Sequence, residues 1–303
     1  MHQARYPLIR QKSVKAGEFN MTSAGSTAKL LTFVGTTPNI GTTVASFAAA
    51  YQIARQSGKQ VGFLCMNLKS AKLHRYLGKD RPIETLDTLR PELRSASLTP
   101  AKLLRAAAPM QGCPGLHILF GNLLRDQAEF FTAGDMEHLL AVARETFAVI
   151  VADVSAYWDN AATVTALRAA DARLLTTTPA LSNFQEDGKR WIEQVSPLFG
   201  IEQADYEAII IYPPWRSGGF PMRDIRKETG LPVIGNLHLT ESVLSHLDSG
   251  RLGEWLERDE RGKQAMKEVS GHLMKKHAIS YKQTPHFQPW YRKLLAHRGG
   301  VGS

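Results

Sequence analysis

Residues 29–56 read KLLTFVGTTPNIGTTVASFAAAYQIARQ, and the rest of the chain is best read outward from them. The opening residues, 29–35, are apolar at nearly every position, as in a strand covered on both faces. Residues 42–56 carry a helical pattern that stops at Ser57-Gly58, with glycine placed to take the left-handed cap. Between the two lies GTTPNIGTT, residues 35–43. A strand, a glycine-containing loop and a helix N-terminus bring backbone N–H groups and the positive end of a helix dipole together, which makes an anion site. The same loop also reads as a tight strand-to-helix turn with no ligand, and these residues alone do not choose.

Short apolar runs recur at 61–66, 116–120, 147–152, 173–177, 208–212 and 232–235, separated by helical patterns at 135–145 and 157–170. Alternation of this kind predicts βαβ units: an α/β domain with a mostly parallel, doubly wound sheet and helices on both faces. After Leu252 the pattern changes. Trp255, Met266, Val269 and Leu273 fall at helical spacing in a highly charged stretch, predicting a surface helix packed along one face. The division expected is a flexible extension over 1–27, a main domain over 28–252 and a helical C-terminal tail over 253–303. Met21 is a candidate natural start.

Composition narrows the class. Hydrophobic residues make up 43% and charged residues 21% of the 303, an ordinary balance for a globular chain. No apolar run is long enough to span a bilayer, and the basic N-terminus lacks the apolar core of a secretory signal. Two cysteines, Cys65 and Cys113, predict no disulfide framework and suit a reducing cytoplasm. The net charge of +9 suits DNA, acidic lipid or an acidic protein surface without selecting one. The ten histidines show no metal-ligand spacing, and nothing supports Ser-His-Asp or Cys-His catalysis.

The order of these segments resembles the MinD/ParA family of deviant Walker A ATPases, whose loop reads G-x-K-G-G-x-G-K-T-T. Gly35, Gly41 and Thr43 match it. Thr37 stands where the family's signature lysine reaches across a dimer, Pro38 and Asn39 replace two glycines, and Thr42 replaces the P-loop lysine. The resemblance continues over residues 28–252. Asn67-Leu68-Lys69 stands where the family has D-x-D, FAVIVADVS (147–155) is similar to the Walker B strand and keeps its aspartate as Asp153, and AADARLLTTTP (169–179) is similar to the strand that follows. Residues 223–252 resemble the family's closing segment. Within the family the chain looks closest to the CpaE/TadZ branch of Flp/Tad pilus assembly, although that branch commonly carries a receiver-like domain ahead of the first strand.

This resemblance implies a phosphate site made by Gly35, Thr36, Thr37, Asn39, Ile40, Gly41, Thr42 and Thr43, with Lys69 and Asp153 beside it and Thr43 and Asp153 serving magnesium. Lys69 reads more readily as a solvated surface lysine, and Asp153 also reads as a strand-end acid bonding nearby backbone. An ammonium about 4 Å from a phosphate charge contributes about 4 kcal/mol at an effective dielectric near 20. Phosphoryl transfer depends on such positioned charge. Two missing lysines, with Asn67 in place of an aspartate, therefore predict weak binding of ATP or ADP and argue against hydrolysis. The family's adenine contacts include an asparagine where this chain has Tyr212-Pro213-Pro214-Trp215.

Near the C-terminus, Phe287, Trp290, Tyr291, Leu294 and Leu295 form one helical stripe opposite basic residues, written like an interfacial membrane helix or a docking helix. The function expected is a non-hydrolysing MinD/ParA-like scaffold. It would be a homodimer, cytoplasmic and peripheral at the inner face of the membrane, that positions pilus or secretion proteins. A nucleotide-switched partitioning ATPase acting on DNA or cargo, and an adaptor with a vestigial pocket, are the alternatives.

Overall fold

The computed structural model describes residues 28–214 and 218–282. Its strands are β1 (Lys29–Gly35), β2 (Val61–Met66), β3 (Ala108–Met110), β4 (Cys113–Leu119), β5 (Val149–Val154), β6 (Ala172–Thr177), β7 (Tyr206–Tyr212) and β8 (Val233–His238). The α-helices are α1 (Thr42–Ser57), α2 (Leu73–Tyr76), α3 (Arg90–Arg94), α4 (Pro100–Ala106), α5 (Ala133–Thr146), α6 (Ala161–Ala169), α7 (Met222–Thr229), α8 (Glu241–Asp248), α9 (Leu252–Arg258) and α10 (Glu260–Lys276). One eight-stranded sheet runs in the order β3-β4-β2-β5-β1-β6-β7-β8. All pairings are parallel except β3 with β4.

Both faces of the sheet are covered, which is why its central strands are apolar at consecutive positions. One face packs α1, α8, α9 and α10 around Phe33, Phe47, Phe63 and Trp255. The other packs α3, α4, α5 and α6 around Leu30, Leu64, Ile150 and Trp191. Strand β1 lies between β5 and β6, with the first connection leaving it toward β2 and later strands added on the other side. The crevice beyond the carboxyl end of β1 is therefore a topological switch point, where open α/β sheets place their ligands.

Several elements differ from the sequence expectation, each for a local reason. The helix expected from residue 157 begins at Ala161, because the Asn160 side chain caps it. Asn160 Oδ1 accepts from the Thr163 amide at 3.0 Å, while its Nδ2 donates to the Tyr157 carbonyl. The strand expected from residue 116 begins at Cys113, as half of a hairpin with β3, turned through Gly112 at φ 77°. After β6 the chain forms π-helical turns over Ser182–Gly188 and Arg190–Val195. The helix expected after Leu252 is two helices, broken at Asp259, whose Oδ1 accepts from the Gly262 amide.

Trp255, Met266, Val269 and Leu273 are buried against α1 and β8. Glu207 on β7 ties α10 down further, meeting His272 Nε2 at 2.7 Å and Lys276 Nζ at 3.0 Å. No helix among the described residues is long and apolar enough to cross a membrane. The extension 1–27, Trp215 and the stripe Phe287, Trp290, Tyr291, Leu294 and Leu295 lie outside the described residues.

Candidate functional site: the loop between β1 and α1

The loop is built from backbone and hydroxyl groups. Thr36 donates its amide to the Thr176 carbonyl at 2.9 Å and its hydroxyl to Thr177 at 3.2 Å. Thr42 and Thr176 share a hydroxyl hydrogen bond of 2.7 Å, so the Thr42 side chain is turned back onto β6. A Cβ on Gly35 would lie 2.6 Å from the Thr42 hydroxyl and 3.0 Å from the Thr37 carbonyl, so the crossing admits only glycine. Gly41 sits at φ 104°, where a Cβ would also meet the Leu239 side chain at 2.7 Å. Asn39 takes φ 62°, a left-handed conformation that asparagine tolerates better than most residues.

Ile40 is buried beneath the loop, which anchors it. The amides of Val44 and Ala45 both donate to the Gly41 carbonyl, opening α1. Those of Asn39, Ile40, Gly41, Thr42 and Thr43 have no backbone partner among the described residues. Thr42 and Thr43 carry orphan donors of the helix N-terminus, and Asn39, Ile40 and Gly41 belong to the loop that leads into it. The cleft over the loop holds about 270 Å³. Leu239, Leu244 and Leu247 wall one part of it, and Asn67, Ser70, Lys72 and Tyr157 another.

Thr43 and Asp153 come together under the loop, with the hydroxyl donating to Asp153 Oδ2 at 2.8 Å. Asp153 is the penultimate residue of β5, in register with Phe33 of β1 and Cys65 of β2. It is fully buried, and its Oδ1 has no partner among the described residues. Burial pushes its pKa up to about 7 against the opposing hydrogen bonds from Thr43 and Ser46. Burial also raises the neighbouring Cys65 thiol to about 12, so that sulfur is inert.

A hydroxyl and an orphaned carboxylate oxygen are hard donors that fit magnesium, whose sphere is ordinarily completed by water and the nucleotide's own phosphates. Thr43 and Asp153 would hold it. Asn67 adds no carboxylate, and its Oδ1 is engaged by the Ser70 amide at 3.0 Å. Among the described residues no group of three or more His, Cys, Asp or Glu is placed to hold a metal ion.

Charge at the site differs from the sequence expectation. Lys69 stands beside the loop, but its Nζ is 2.6 Å from Asp159 and 5.3 Å from the centre of the Tyr157 ring. The cleft is instead lined by Lys72, its only charged lining residue among the described residues, whose Nζ donates to Asn39 Oδ1 at 3.3 Å. The two lysines are three residues apart, and nothing in their spacing ranks them. The tight turn at Asn67–Ser70 is what turns Lys72 to the loop. Tyr157 was likewise not singled out from sequence, since its role depends on the turn that Asn160 caps.

No family model and no curated protein sequence matches this chain. Solved structures do. A ParA-family ATPase from Chlorobium tepidum superposes with a TM-score of 0.69 at 17% identity, covering 81% of this chain and 99% of that one. The septum site-determining protein MinD from Pyrococcus horikoshii, complexed with Mg-ADP, gives 0.66 at 15% identity over 83% and 98%. MinD in the MinC:MinD cell division complex of Aquifex aeolicus gives 0.65 at 15% over 85% and 98%. With the loop between β1 and α1 and the Asp153 strand in place, the chain has the fold of the MinD and ParA P-loop ATPases.

Proposed function

We propose that this chain is a non-hydrolysing MinD/ParA-like scaffold that binds ATP or ADP weakly. It forms a homodimer through its loop face and positions a pilus or secretion machine at the cytoplasmic membrane, in the manner of the CpaE/TadZ branch. The observation that carries this reading is the contrast between shape and charge in the cleft. Five loop amides have no backbone partner, and four of them belong to residues lining a cleft whose single cation among the described residues is Lys72. Such a site can orient a phosphate, yet it lacks the positioned charges that stabilise phosphoryl transfer.

When bound, magnesium would neutralise phosphate charge beside Thr43 and Asp153. Thr43 would orient its hydroxyl toward the ion, and Asp153 would present the oxygen that now has no partner. The Leu239–Leu244–Leu247 wall offers apolar surface to the rest of the nucleotide. Support for a positioning role comes from the likeness to MinD, which in the Aquifex complex is assembled with MinC. The stripe Phe287, Trp290, Tyr291, Leu294 and Leu295 is the proposed contact with membrane or partner.

Calorimetric titration of ATP and ADP, with and without magnesium, alongside a phosphate-release assay, tests the nucleotide reading. Weak heat without turnover is expected. Steady phosphate release that vanishes in Asp153→Ala would overturn the non-hydrolysing assignment. Vesicle flotation with and without residues 286–303 tests the membrane contact, and neighbouring genes for pilus or secretion proteins are expected.

A further inference from the structure

A second hollow, of about 330 Å³, adjoins the cleft and shares Asn39, Ser70, Lys72 and Tyr157 with it. Its wall adds Lys69 and Arg125, so among the described residues three cations and no carboxylate line it. We propose that this hollow is an anion subsite that takes the terminal phosphate of a polyphosphate whose remainder lies in the adjoining cleft. The proposal rests on the nucleotide reading above and names the part of the ligand that carries the affinity.

Each cation is presented by a different device. Lys72 is held against the loop through Asn39 Oδ1 at 3.3 Å. Arg125 follows a turn set by buried Asn122, whose Nδ2 donates to the Leu124 carbonyl at 3.0 Å, and it makes no ion pair among the described residues. Lys69 is neutralised by Asp159, but the carboxylate side chain is 55% exposed. An exposed pair of this kind is worth little, so an incoming phosphate can exchange for Asp159 at small cost. Tyr157, lying under Lys69 Nζ, keeps the ammonium at the hollow during that exchange.

Like charges gathered around a hollow repel one another unless an anion enters, and a phosphate there meets charge that the loop itself does not supply. The positive potential therefore lies on the β2–β4 side of the loop, not over its centre. A phosphate chain entering from the cleft reaches it only when long enough. The expected order of affinity is triphosphate over diphosphate over monophosphate, independent of the base.

The test is calorimetry on the full chain without magnesium, using ATP, ADP, inorganic tripolyphosphate and pyrophosphate. Wild type is expected to bind ATP about tenfold more tightly than ADP, and tripolyphosphate more tightly than pyrophosphate. The double variant Lys72→Ala/Arg125→Ala should lose that preference while keeping its circular dichroism spectrum. Asp159→Asn, which frees Lys69, should tighten ATP and tripolyphosphate about threefold, a gain that misfolding cannot mimic. ATP binding with an ATP-to-ADP ratio unchanged in the double variant would overturn the subsite and leave the nucleotide reading standing. Tripolyphosphate binding without ATP binding would keep the subsite and remove the nucleotide. Silence from every polyphosphate at millimolar concentration would overturn both.

Discussion

The loop after β1 and the loop after β2 stand side by side at the carboxyl edge of the sheet, and they divide one task between them. The first, residues 35–43, contains no charged residue and is shaped by Gly35, Gly41 and a threonine network onto β6. The second, residues 67–72, is a short turn closed by Asn67 that carries Lys69 and Lys72. Shape in the first loop depends on backbone conformation that few substitutions can satisfy. Charge in the second rides on flexible side chains and can move along the chain. A loop can therefore hold this form without any lysine, because the two properties rest on different atoms.

The largest effect expected concerns the acid beneath the first loop. The folded-state pKa of Asp153 lies above its unfolded value, so the native state keeps a proton that the unfolded chain has released. Stability is then lost as pH rises from 3.8 toward about 7 and stays low above that. Asp153→Asn should remove this slope and raise stability at pH 8 by up to about 4 kcal/mol, with no gain at pH 3.5, measured by urea unfolding across that range. An unchanged slope would mean that the carboxylate is solvated and that the first loop does not seal it.

Next is Gly41→Ala. A side chain at φ 104° that also meets Leu239 should cost about 3 kcal/mol of unfolding free energy. A loss below about 0.5 kcal/mol would show that the first loop is not held by its backbone conformation, and the contrast between the loops would fail.

Thr42→Lys adds a charge to the first loop. It should tighten ATP by about 2 kcal/mol, more than tenfold, by calorimetry, even after the hydrogen bond to Thr176 is lost. No tightening would mean that the shape has drifted as well as the charge. The smallest effect is Asn67→Ala, which removes the bond to the Ser70 amide and should cost about 1 kcal/mol in stability. Weaker ATP binding in the same variant would show that the second loop must be ordered to present Lys72.

Long apolar strands were legible because burial on both faces leaves no alternation to misread: β1 and β2 have the bounds expected from their residues. Strand β3 was not, since Ala108-Pro109-Met110 is too short to carry a period and contains a proline. After β6, Phe184, Trp191 and Val195 keep an ordinary helical spacing, so nothing in the apolar pattern marks those turns as π-helical. At the site, the pairing of Thr43 with Asp153 follows from the neighbouring strands β1 and β5. The choice between Lys69 and Lys72 does not follow from sequence. It is made by the Asn67 turn and by Asp159, 90 residues away from Lys69 in the chain.

The outermost strand on the β3 side has one further consequence. β3 is three residues long, and its exposed Pro109 has no N–H to offer. A row of free donors and acceptors is what lets one sheet template another, and this border presents almost none. At high local concentration, along a membrane or within a large machine, copies of this chain can crowd without zipping together strand by strand on that side. Contacts between copies across that border would be made through side-chain surfaces, and such contacts can be made and broken reversibly.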